Sequence, residues 1–154
     1  MDYFQGVVTE YLRADRAVFV NTECCIQLNP GENPDQTGPH WFCDAVAVNM
    51  REQRVYLCEV TYSKTLSALN KRLIEWAAHW SLLREALIRD CQLPRNWPVQ
   101  PWLFVPNALQ TPLNSKLLRI SNVGDGAGQM PRPRTTDLED VAPWKYPSWN
   151  RRDK

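Results

Sequence analysis

Apolar positions recur along this chain with two different periods, and the switches between them mark out its elements. Residues 2–14 carry Tyr3, Phe4, Val7, Val8, Tyr11 and Leu12. That three-and-four spacing predicts an amphipathic helix. Asp2 is placed to cap it, and Gly6 weakens its first turn by up to about 1 kcal/mol relative to Ala. Residues 17–28 are β-branched and aromatic and predict a strand, bent near Asn21–Glu23. Residues 29–39 contain three Pro and two Gly and read as a loop.

From residue 41 the period drops to two. Residues 41–49 place Asp44, Val46 and Val48 on one face, with Cys43, Ala45 and Ala47 on the other. Residues 55–62 place Val55, Leu57, Glu59 and Thr61 against Tyr56, Cys58, Val60 and Tyr62. The polar stretch MREQR between them is short enough for an antiparallel hairpin. Both faces of the first strand are largely apolar, which predicts a central position in a sheet.

The longer period then returns. Ser63 or Thr65 caps a long helix whose stripe runs through Leu66, Leu69, Leu73, Trp76, Trp80, Leu83 and Leu87 to about Asp90, before Pro94. Residues 99–106 predict a strand, short or at an edge because Pro stands near both ends. Residues 112–122 fit either a short helix or a last strand. From Val123 periodicity fades, and residues 123–154 read as an irregular tail in which Trp144, Tyr146 and Trp149 point to docking on the body or on a partner. The expected fold is α/β: an αβββαβ core over residues 1–122, with a mixed central sheet of about four strands flanked by helices.

Composition narrows the function classes only slightly. At 154 residues, 44% hydrophobic and 23% charged, the chain has the make-up of one globular domain. Its net charge of +1 does not advertise a nucleic-acid binder, although a local basic groove is compatible with it. No apolar run approaches the roughly 20 residues of a membrane span, and no signal peptide is visible. Five Cys occur without a CxxC, which suits reduced, mostly buried thiols in a cytoplasmic protein and not a zinc site. Seven Trp supply ample area for a core or for self-association. Dinucleotide, P-loop and GxSxG signatures are absent, since GDGAG at 124–128 lacks the Lys-Ser/Thr of a P-loop.

Two acids stand out against this background. Asp44 interrupts WFCDAVAV and Glu59 interrupts VYLCEV. A charge within an apolar strand needs a partner, and a bound cation is one such partner. Mg²⁺ takes oxygen ligands and keeps several waters, so two carboxylates on neighbouring strands suit it. The structural readings are that Asp44 caps a loop and that Glu59 pairs with Arg54 or with a base on the following helix.

The order helix, strand, strand with Asp, strand with Glu, helix, strand resembles the core of the PD-(D/E)XK nuclease superfamily, the restriction-endonuclease-like fold. The resemblance covers roughly residues 5–106. By that resemblance Glu10 corresponds to the acid of the first helix, Asp44 to the motif Asp and Glu59 to the motif Glu. Lys71 corresponds to the helix-borne basic residue, with Arg72 as its competitor. The chain departs from the pattern at Thr61, where the family has Lys; Lys64 lies three residues further on. The resemblance implies a phosphodiesterase that acts on nucleic acid with Mg or Mn held by Asp44 and Glu59. Arg132, Arg134, Arg151 and Arg152 would add phosphate contacts. It also implies a homodimer or a larger protein complex. The alternative is a binding or scaffold module that keeps this fold without catalysis.

Overall fold

The computed structural model describes residues 2–28 and 40–149. The loop expected at 29–39, together with Arg151 and Arg152, lies outside the described residues. The elements are helix α1 (Tyr3–Leu12), strands β1 (Val18–Gln27), β2 (His40–Asn49) and β3 (Arg54–Val60), helices α2 (Ser67–Ala78) and α3 (Trp80–Cys91), strand β4 (Val99–Val105), helix α4 (Gln110–Leu117) and strand β5 (Arg134–Asp137). One mixed sheet runs in the order β1-β2-β3-β4-β5. The β1–β2 and β2–β3 pairs are antiparallel; β3–β4 and β4–β5 are parallel. The protein is thus α/β, with a five-stranded mixed sheet between helices.

Each face of the sheet carries its own core. On one side α1 brings Val8 and Leu12 onto Ala45, Ala47, Tyr56, Cys58, Trp102 and Phe104. On the other, α2 and α3 bring Leu69, Leu73, Trp76, Leu83 and Leu87 onto Val46, Val55, Leu57 and Leu103. A large aliphatic or aromatic side chain buried this completely contributes about 1.5–3 kcal/mol. The two interior strands β2 and β3 are apolar on both faces because helices cover both.

β1 and β2 share one irregularity, and it sets up the site. Val18 and Val20 belong to the α1 side of the sheet, yet Cys24 and Ile26 belong to the α2/α3 side. Cys43 and Ala45 divide in the same way. Residues two apart should share a face, so both strands turn over by one residue at the same level. Glu23 marks the place on β1 with φ 52, between the pairs Thr22↔Ala45 and Cys24↔Cys43. The bend expected near Asn21–Glu23 falls here, and Asp44 is the residue opposite.

Four expectations change. The long helix is two: α2 stops at Ala78, and His79 (φ −117, ψ 24) leaves the helical region before α3 begins. The carbonyl of Ala77, which a continuous helix would use itself, accepts instead from Asn122 Nδ2 at 2.7 Å. α2 also begins later than Ser63 or Thr65 suggested: Leu66 stands at its N-cap without a side-chain cap. β4 lies between β3 and β5 and not at an edge. Its Pro101 is tolerated because β5 pairs only from Trp102 onward. Lastly, residues 123–154 are not wholly irregular. They supply β5, and they bury Met130 and Val141 completely.

Candidate functional site

The acid pair is built by the end of one strand ladder. The β2–β3 register closes at Ala45↔Cys58. One residue beyond it, Asp44 stands at the turnover. Its Oδ2 accepts from the backbone N–H of Val60 at 2.8 Å. Its Oδ1 accepts from Gln5 Nε2 of α1 at 2.9 Å. The carboxylate thus takes the place of a ladder partner and lies towards α1, away from Val46, with which simple alternation would group it.

Gln5 is itself held. It occupies the third helical position of α1. There its backbone N–H donates to Asp2 Oδ1 at 2.8 Å while its side-chain Oε1 accepts from the Asp2 N–H at 3.2 Å, a capping box. One amide group therefore ties the helix start to Asp44.

Glu59, on β3, points to the α2 side. It is 5% exposed, and Arg72 Nη1 donates to its Oε1 at 2.7 Å. The same Nη1 donates to the carbonyl of Phe42 at 3.0 Å. Arg72 thus joins α2 to both central strands, and it is the helix-borne base that Glu59 finds. Burial pushes the Glu59 carboxyl well above the usual carboxylate range. The Asp44 carboxylate in hydrogen-bonding contact pushes it further, and Arg72 opposes both. Burial works to lower the Arg72 guanidinium, and Glu59 more than offsets that, so its value is raised.

The chemistry of this donor set is plain. Two carboxylates carry two negative charges, and one guanidinium returns one positive charge. Like charges this close disfavour ionisation of the buried Glu59, and the single guanidinium of Arg72 offsets that only in part. All the donors are oxygens, as a hard divalent cation requires. In this respect the residues fit Mg or Mn, and Asp44 and Glu59 are the two carboxylates that could hold such an ion. Among the described residues no group of three or more His, Cys, Asp or Glu is placed to hold a metal, so further ligands would be carbonyl oxygens or water.

The other expected site residues lie apart from this pair. Glu10 is exposed on α1 and lines a groove with Arg13, Arg16 and Trp149. It is five residues beyond Gln5, so the helical period turns it away from Asp44. Lys71 is exposed on α2, and its neighbour Arg72 reaches Glu59 in its place. Thr61 donates its N–H to Phe104 O at 3.0 Å, extending the pairing of β3 with β4, and its Oγ1 accepts from Ser63 N at 3.4 Å. Arg134 lies over the Trp102 ring at 3.9 Å from the centroid and near Tyr56, so it is committed to the sheet surface at β5. Gln5 and the Val60 N–H were missed as parts of the site. Asp2-x-x-Gln5 carries a capping signal, but nothing in the sequence shows that the same amide reaches Asp44.

Beneath the acids lie two buried thiols. Cys43 Sγ donates to the carbonyl oxygens of Ala45 at 3.2 Å and Cys58 at 3.3 Å. Burial, followed by Glu59, pushes both Cys43 and Cys58 up, so both stay protonated. All five Cys are free. Among the described residues no helix is long and apolar enough to cross a membrane. Compared with known families and curated proteins, the chain matches no family model and no curated relative.

Proposed function

We propose that the chain is a metal-dependent phosphodiesterase acting on nucleic acid, with the fold of the PD-(D/E)XK nucleases. Asp44 and Glu59 are its metal-holding carboxylates, and Arg72 takes the part of the helix-borne basic residue beside them. The observation that carries this reading is the buried Glu59 next to Asp44 of the adjacent strand, two carboxylates with the one guanidinium of Arg72 between α2 and the sheet. A divalent ion held there would supply charge neutralisation of the phosphodiester and a more acidic bound water. The chain's own part is to fix Asp44 through Gln5 and the Val60 N–H, and to keep Glu59 in a dry setting. Arg72 supports this by presenting a delocalised cation that suits the phosphoryl oxygens. Thr61 contributes no charge.

One observation favours the second reading, a nucleic-acid-binding or scaffold module without hydrolysis. The 2.7 Å Arg72–Glu59 pair already provides a cation, and Thr61 replaces the Lys. Calorimetric titration with Mn²⁺ together with cleavage assays on single- and double-stranded DNA and RNA separates the two. Mn²⁺ binding and cleavage, both lost in Asp44→Ala and Glu59→Ala, support the phosphodiesterase. No binding and no cleavage in the wild type reject it.

A further inference from the structure

Exposed aromatic side chains border the acid pair. Tyr3 and Phe4 precede Gln5, whose amide holds Asp44. Phe42 supplies the carbonyl that holds Arg72, and Tyr62 follows two residues after Val60, whose N–H holds Asp44. Tyr3 is 77%, Tyr62 53% and Phe42 43% exposed. Phe4 and Tyr62 pack ring against ring with centroids 4.5 Å apart and planes 30° from parallel. Tyr3 stands edge-on to Phe4 at 5.3 Å, so the three rings form one connected platform. Single exposed apolar residues are ordinary, but Tyr3 and Tyr62 flank the half-buried Phe4 as a connected group, and more than half of each is left exposed.

We infer that the ligand of this site is single-stranded nucleic acid, its unpaired bases stacked on the platform of Tyr3, Phe4 and Tyr62. The inference rests on the phosphodiesterase reading for where the backbone lies, and it names the substrate class. Aromatic faces take any base, and each stack contributes about 1–3 kcal/mol, but only bases freed from a duplex offer those faces. Lys64, just before α2, and Lys71, in its first turns, are exposed and would supply phosphate-seeking charge.

The test is fluorescence anisotropy with short labelled oligonucleotides in chelator, where no cleavage occurs. It uses a single strand, the matching duplex and an abasic strand of equal length, each as DNA and as RNA. The single strand is expected to bind at least about tenfold more tightly than the duplex or the abasic strand, the effect of one stack. Tyr62→Ala is expected to lose about the same factor and Tyr62→Phe to retain it. Equal affinity for abasic and normal strands overturns the inference, and because that comparison uses only wild-type protein, misfolding of a variant cannot cause it. Mn²⁺-dependent cleavage without single-strand preference removes this inference and leaves the phosphodiesterase. Single-strand binding without cleavage does the reverse.

Discussion

Replacing Arg72 by Met keeps the length and apolar stem of the side chain and removes its charge. Glu59 then has Asp44 as a neighbour and no guanidinium. Breaking a buried ion pair from one side costs about 3–5 kcal/mol, and because 35% of the Arg72 side chain is exposed we take a loss of about 2–3 kcal/mol at neutral to alkaline pH. For a chain of this length that lowers Tm by about 4–12 °C. The pH dependence gives the sharper check. Glu59 has a folded-state pKa above its ordinary value of 4.5. Its contribution therefore favours the fold below the unfolded pKa and is lost as pH rises through the folded pKa. Without Arg72 the folded pKa climbs further, so the cost of Arg72→Met should be small near about pH 5 and full near about pH 8. Urea denaturation of both proteins at the two pH values measures this, and adding Glu59→Gln to the variant should recover most of the loss. A cost equal at both pH values, or one that Glu59→Gln leaves untouched, would refute the assigned role of Arg72.

Other outcomes follow from the same geometry. Glu59→Gln alone should raise Tm near about pH 8 and leave it unchanged near about pH 4, because the ionisation it removes is costly only above the unfolded pKa; calorimetric scans read both. The same variant should lose Mn²⁺ binding. Gln5→Glu places a third acid on Asp44, so it should lower stability in chelator by about 1 kcal/mol or more and tighten Mn²⁺ binding, as shown by denaturation with and without the ion. Cys91, held down to about 7 by a hydrogen bond from Cys24, should react fastest with iodoacetamide among the five thiols near neutral pH. Cys24→Ala should slow it, and peptide mapping by mass spectrometry follows both.

The sequence disclosed the parts of the site that depend on local period. Alternation placed β2 and β3, the polar turn joined them, and the two acids were visible as exceptions to an apolar pattern. What stayed hidden depends on tertiary contact. Arg72 and Lys71 are adjacent and chemically alike, and only the rotation of α2 on the sheet decides which reaches Glu59. Gln5 was concealed by having a sufficient local role in the capping box. His79 ends α2 because Asn122, far along the chain, takes the Ala77 carbonyl, and no helix propensity reports that. β5 was missed because four residues, RTTD, among Pro and Gly carry too short an alternation to read; it forms because β4 offers a free edge.

The shared turnover of β1 and β2 divides the site into fixed and movable parts. Asp44 emerges from the geometry of two paired strands, and Glu59 from the middle of the sheet, so neither can retreat without the sheet losing register. Gln5 and Arg72 reach the pair on side chains from helices, Gln5 pinned by its capping box and Arg72 on the longer stem. Any exchange between its guanidinium and an arriving cation is therefore a rotation about side-chain bonds and not a rearrangement of backbone. Activation of such a centre would be seen in the Arg72 side-chain resonances, while the amide resonances of the strands that carry the acids keep their positions.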